Sequence, residues 1–193
     1  MIIVIQNKDD LKNYLAADKQ ALGFTRKFPR PIVDDIWKFQ ILLRKLEYNI
    51  NCKKGIHNRV KTLYLKYKFH KLSQKLGFEI PTNVFGPGLS IAHRGTIIVN
   101  SGSKVGANCR IHANVNIGTG KDTSLVDVPT IGDNVYIGPG AKIYGAINIK
   151  DNVAIGANAV VNKDVDSNVT VAGVPAKIIN QKGSKGLLFR YHK

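Results

Sequence analysis

The chain has 193 residues, enough for one or two compact units. Lysine and arginine number 29 against 13 aspartates and glutamates, a net charge of +16 that favours anionic partners and says nothing about fold. Two cysteines, Cys52 and Cys109, are too few for a disulfide framework, and no apolar run approaches the roughly 20 residues that span a bilayer.

The opening MIIVIQNKDD is apolar for five residues and then polar and acidic, too short for the apolar core of a signal peptide. The expectation is a cytoplasmic protein, with the inner face of a membrane as a further location. From Lys8 to Leu76 the pattern is helical. Ile36, Phe39, Leu43 and Leu46 recur at three- and four-residue steps, and so do Leu65, Phe69, Leu72 and Leu76. Pro29 and Pro31 precede the first stripe and Gly55 separates the two.

Residues 1–80 hold 17 Lys/Arg against 7 Asp/Glu, so this half is the more basic one. The run from Lys38 to Lys75 reads as the solvated face of a helical pair. It also suits an acidic or membrane surface, with Tyr64, Tyr67 and Phe69 among its lysines as interfacial aromatics. No nucleic-acid-binding motif is present, and no nucleic-acid partner is expected.

The second half changes period. Stepping by six from Val99 gives Val105, Ile111 and Ile117; the frame breaks, then resumes at Ile131, Ile137, Ile143, Ile149, Ile155 and Val161. Four residues after most of these stands a smaller apolar residue: Cys109, Val115, Val135, Ala141, Ile147, Val153, Ala159 or Val165. Glycine follows the frame residue at 106, 118, 132, 138 and 156, where it should relieve a sharp corner. Three hexads close one triangular coil, and stacked coils bury one apolar column.

The predicted fold is therefore mainly β, a left-handed parallel β-helix with an amino-terminal α-helical region. Its domains are a basic helical region 1–78, the β-helix 79–180 and a basic tail 181–193. Cys109 falls in the inward series and reads as a structural thiol. From Ile117 to Ile131 is 14 residues, one hexad plus eight, so a loop at 118–130 should project from one corner.

GFEIPTNVFGPGLSIAHRGTIIVN, RIHANVNIGTG, VPTIGDNVYIGPGAKIYGAINI, VAIGANAVV and VAGVPAKII together resemble the hexapeptide-repeat acyltransferases, within them the serine acetyltransferase branch. The resemblance spans roughly residues 77–180 and implies an acetyl-CoA-dependent O-acetyltransferase. It places the general base at His93 and an orienting acid at Glu79. His112, following frame residue Ile111 at the corner shared with Gly138 and Gly156, is the other candidate base. His57 and His70, among lysines, read as solvated.

For acetyl-CoA the resemblance points to a cleft lined by Gly118, Gly138, Gly156 and Ala157, with Lys163 and Lys177 near the phosphates. It implies a homotrimer with sites between neighbours, one prism face being apolar, and no metal. In two places the sequence departs from the serine enzymes. They carry Asp before the catalytic His, where Ala92 stands here, and a second His before the loop proline, where Val128 precedes Pro129.

Those two residues help recognise the ammonium and carboxylate of serine. The departures point the acceptor towards a saccharide hydroxyl, of a surface polysaccharide or its precursor, with serine O-acetylation in cysteine biosynthesis as the alternative. Two other readings stand beside these. A zinc carbonic anhydrase of the same architecture needs three histidines, and only His93 and His112 lie in the repeats. A non-catalytic basic binding module needs neither.

Overall fold

The computed structural model describes residues 4–121 and 126–188. Three helices come first: α1 (Lys8–Ala21), α2 (Asp35–Cys52) and α3 (Ile56–Leu76). The Asn7 side chain caps α1 by accepting from the Asp9 and Asp10 amides at 2.8 and 2.9 Å. Gly77, in the left-handed region at φ 78°, ends α3, so the helices stop at 76 and the first strand begins at Phe78, one residue before the expected boundary.

Both stripes face inward. Phe39, Leu43, Leu46, Leu65 and Leu76 are buried, and Leu72 and Phe69 pack against the core. The Phe39 ring lies 5.0 Å from Phe69 and 5.1 Å from Phe78, which joins α2 and α3 to the first strand. Phe69 is therefore not an interfacial aromatic as the sequence suggested; only Tyr64 and Tyr67 are turned outward.

The rest is a left-handed parallel β-helix of three sheets. One face carries β1 (Phe78–Glu79), β3 (Ile97–Val99), β6 (Val115–Gly118), β9 (Lys142–Tyr144) and β12 (Val160–Val161). A second carries β4 (Lys104–Val105), β7 (Thr130–Ile131) and β10 (Asn148–Ile149). The third carries β2 (Ser90–Ile91), β5 (Arg110–Ile111), β8 (Tyr136–Ile137), β11 (Ala154–Ile155) and β13 (Thr170–Ala172), closed by antiparallel β14 (Lys177–Asn180). Every frame residue from Val99 to Val161 is at most 3% exposed, and the second inward series is buried too. Burial pushes the Cys109 thiol up to about 12, so it is a structural thiol.

The corners differ from the expectation. At most corners a left-handed φ falls three residues after the frame position, on Asn108, Asn114, Asn134, Asn152 and Asn158 and on Gly140, and after Ile143 it falls on Gly145. Glycine directly after the frame residue serves stacking instead. A Cβ on Gly138 would stand 2.8 Å from the Ile155 carbonyl of the next coil. Along one corner the amides of Asn108, Asn134, Asn152 and Asn168 form a ladder at 3.0–3.1 Å, one rung per coil.

The helices cap the first coil. Arg44 is fully buried and donates to the Phe85 and Gly86 carbonyls at 2.9 and 2.7 Å, to Asp18 at 2.8 Å and to Glu47 at 3.0 Å. Asp18 accepts from the Gly88 and Leu89 amides, Glu47 from the Asn83 amide, and Gln40 donates to the Leu89 carbonyl. An open solenoid end would leave these backbone groups bare or wet. Burial pulls the guanidinium of Arg44 down, and the two carboxylates outweigh it, so the cation is held.

Candidate active site

Pairing of Ser90 with Arg110 and of Ile97 with Val115 shows where His93 sits. Five residues, Ala92 to Thr96, bridge β2 and β3, where three, His112 to Asn114, bridge β5 and β6 directly above. The two extra residues make a bulge. His93 projects from it and is exposed, so it is not in frame with the inward aliphatics, as a plain six-residue count suggested.

The bulge is tied down. Arg94 reaches the Asp35 carboxylate at 3.3 Å, and Lys38 and Lys75 reach the same group at 2.8 Å each. The start of α2, the end of α3 and the bulge thus meet on one acid. Hydrogen bonds from Lys38 and then Lys75 hold the Asp35 carboxyl down at about 2, against the opposing effect of burial.

His112 lies one coil along, at the same corner. Its ring centroid is 5.8 Å from that of His93 and 5.1 Å from that of Tyr136. The Nε2 atom of His112 is buried with no hydrogen-bond partner. Burial, then Arg110, then His93 push its pKa down, which keeps the ring neutral at cellular pH. Between the α1–α2 connection and the third face is a cavity of about 200 Å³ that neither ring lines. Ala92 and Arg94, on either side of His93, both line it, with Arg110, Asp34, Phe24 and Trp37.

The other expected residues fall into two groups. Gly138, Gly156 and Ala157 follow β8 and β11 at the corner of His112, and Lys177 pairs with Ala172 on the next level there. Gly118 and Lys163 lie at the far edge of the first face, the corner from which the 118–130 segment leaves. Residues 122–125 of that segment fall outside the described residues. Glu79 stands exposed on the outer side of β1, in register with Ile98, and no hydrogen bond joins it to His93 among the described residues.

Sequence reasoning missed Asp35, Arg94 and the cavity. An acid at a helix start and an arginine after a histidine carry no special spacing, so nothing in the pattern marks them. Among the described residues no group of three His, Cys, Asp or Glu is placed to hold a metal ion.

The six-residue step is reflected in the family profile "Bacterial transferase hexapeptide (six repeats)", which matches residues 129–163. Over those residues the prism matches the hexapeptide repeat of bacterial transferases, and over a longer stretch it is similar to serine acetyltransferases. The serine acetyltransferase of Buchnera aphidicola subsp. Acyrthosiphon pisum is 39% identical over 126 residues, 64% of this chain and 45% of that protein. The chain spans about half the length of the curated relatives it matches.

Two solved serine acetyltransferases share the architecture. That of Brucella abortus strain S19 in complex with coenzyme A aligns at a TM-score of 0.68 and 28% identity, over 91% of this chain and 70% of that one. That of Neisseria gonorrhoeae in complex with serine aligns at 0.67 and 25%, over 90% and 70%. The serine acetyltransferase-like alignment takes in most of the helical region, which the sequence motifs alone did not.

Proposed function

We propose that this chain is an acetyl-CoA-dependent O-acetyltransferase. The observation that carries the reading is a histidine lifted out of the coil frame, between a tethered arginine and an alanine that both line a cavity, in a domain that resembles an enzyme solved with coenzyme A. A ring nitrogen of His93 takes the proton from the acceptor hydroxyl. The resulting oxygen attacks the thioester carbonyl, the C–S bond breaks, and the imidazolium returns the proton to the departing thiolate. Glu79 is assigned the orienting carboxylate. The corner of Gly138, Gly156 and Ala157, with Lys177, is assigned the pantetheine arm.

The relatives favour serine as the acceptor, since their names carry it. A second reading, a saccharide hydroxyl, is favoured by Ala92, which lines the cavity as a methyl group where the serine enzymes place a carboxylate, and by Val128. A homotrimer with sites between neighbours accompanies either reading. No face of the described prism is continuously apolar: Glu79, Ile98, Asn116 and Lys142 follow one another outward on the first. Such a trimer would rest on mixed contacts, and sedimentation at micromolar concentration tests it.

The deciding experiment is thiol release from acetyl-CoA against serine and a panel of sugars and glycans. Release stimulated by serine supports the first reading, and release stimulated only by a saccharide supports the second. No stimulation by any acceptor, with coenzyme A unbound, would leave a basic binding module.

A further inference from the structure

Helix α3 has two apolar faces. Leu65, Phe69, Leu72 and Leu76 point into the protein. Ile56, Val60, Leu63 and Tyr67 recur at the same helical spacing and are each 60–70% exposed. At about 100° per residue, Leu63 and Leu65 differ by roughly half a turn, so the second stripe is diametrically outward. Tyr64 borders it, also exposed. A helix that is apolar on opposite sides has one partner inside the chain and needs another outside it.

The charges name the partner's sign. Residues 53–76 hold eight lysines and arginines and no aspartate or glutamate. Arg59 and Lys66 flank the outward stripe on one side and Lys71 on the other, all exposed. The ammonium groups of Lys68 and Lys71 lie 4.8 and 5.9 Å from the centres of the Tyr64 and Tyr67 rings, so cation and aromatic share the exposed surface. A second copy docking α3 on α3 would set six cations against six with no acid on either helix.

We infer that the outward face of α3 docks flat on an anionic lipid bilayer, the apolar stripe entering the head-group region and the flanking cations meeting lipid phosphates. Apolar residues backed by Lys and Arg along one face, with tyrosines at the boundary, is the pattern of interfacial helices. No helix among the described residues is long and apolar enough to cross a membrane, so α3 lies on the surface. The docked face is opposite the one packed on the prism.

The test is co-sedimentation of the full chain with vesicles of phosphatidylcholine alone, or with three parts in ten phosphatidylserine. Binding to the anionic vesicles only, weakened at least tenfold by Val60→Glu with Leu63→Glu and several-fold by Lys66→Gln with Lys71→Gln, is the expected result. Unchanged far-ultraviolet circular dichroism and melting keep the comparison fair, because all four side chains are exposed. Absence of binding to either vesicle would overturn the inference. Full binding by the Val60/Leu63 variant would do so too, because charge alone would then suffice. An oligomer that this variant dissolves, with no vesicle binding by the parent, would assign the face to a second copy.

Discussion

The rings of His93 and His112 face each other across two successive coils, with centroids 5.8 Å apart and planes tilted by 53°. One is exposed on a bulge; the other has a buried nitrogen without a partner. That asymmetry separates their roles. The exposed ring can reach an incoming hydroxyl, and the buried one, kept neutral, can accept from or orient its neighbour without adding charge.

His93→Ala should lower kcat by roughly 10²–10⁴, the usual worth of a positioned base, with coenzyme A affinity nearly unchanged. Glu79→Gln should cost less, since it orients rather than accepts the proton. His112→Ala should fall between the parent and His93→Ala. Steady-state kinetics with calorimetric coenzyme A binding check all three. A large loss confined to His112→Ala would exchange the assignments.

If the acceptor is a saccharide, free serine should bind weakly for want of a carboxylate at Ala92 and a donor at Val128. Leaving a charge unpaired in a cleft typically costs ~2–5 kcal/mol. Ala92→Asp should therefore lower the KM for serine at least tenfold and leave turnover of a neutral sugar acceptor no better. Sub-millimolar KM for serine in the parent would show that Glu79 or Asp34 already meets the ammonium.

The Asp35 carboxyl titrates at about 2, below its ordinary value of 3.8. A depressed acid contributes stability that is present above its unfolded pKa and lost as pH falls through the folded one. The melting temperature should thus decline between about pH 5 and pH 2, and the Arg94 tether with it. Asp35→Asn should flatten that limb and also raise the KM of the acceptor, because the His93 bulge loses its anchor. An unchanged acid limb in Asp35→Asn would remove this group from the account.

Arg44→Ala should cost about 3–5 kcal/mol, because it strands Asp18 and Glu47 in the interior and bares the Phe85 and Gly86 carbonyls. Denaturant unfolding measures this directly. Arg44→Lys should rescue little of it, since one ammonium cannot span four acceptors.

The prism was legible because its side chains repeat. Eighteen residues return each inward aliphatic to the same place, so a count along the chain from Ile131 to Val161 is already a description of the core. The count failed where the repeat is interrupted. The step from Ile91 to Ile111 is 20 residues rather than 18, and only strand pairing shows that the surplus lies between Ala92 and Thr96. His93 owes its exposure to that surplus.

The corner asparagines are equally visible in the sequence, but asparagine marks turns of many kinds, and only the backbone shows that these hold the left-handed φ at the coil corners. Arg44 could not be read at all. A single arginine within an amphipathic helix looks solvated until the coil end it covers is in view.

A stack of equivalent coils has no inherent length: each coil presents to the next the same edge that it received. In this molecule the stack is stopped at both ends by something other than a coil. Arg44, Asp18, Gln40 and Glu47 occupy the hydrogen-bonding groups at the first edge, and β14 turns back antiparallel on β13 at the last. The histidine pair sits within two coils of the first stop. The coils beyond Ile137 therefore act as a ruler that sets how far Gly156 and Lys177 lie from His93. Inserting or deleting 18 residues there would move the far end by one strand spacing, about 4.8 Å, and leave the histidine pair where it is.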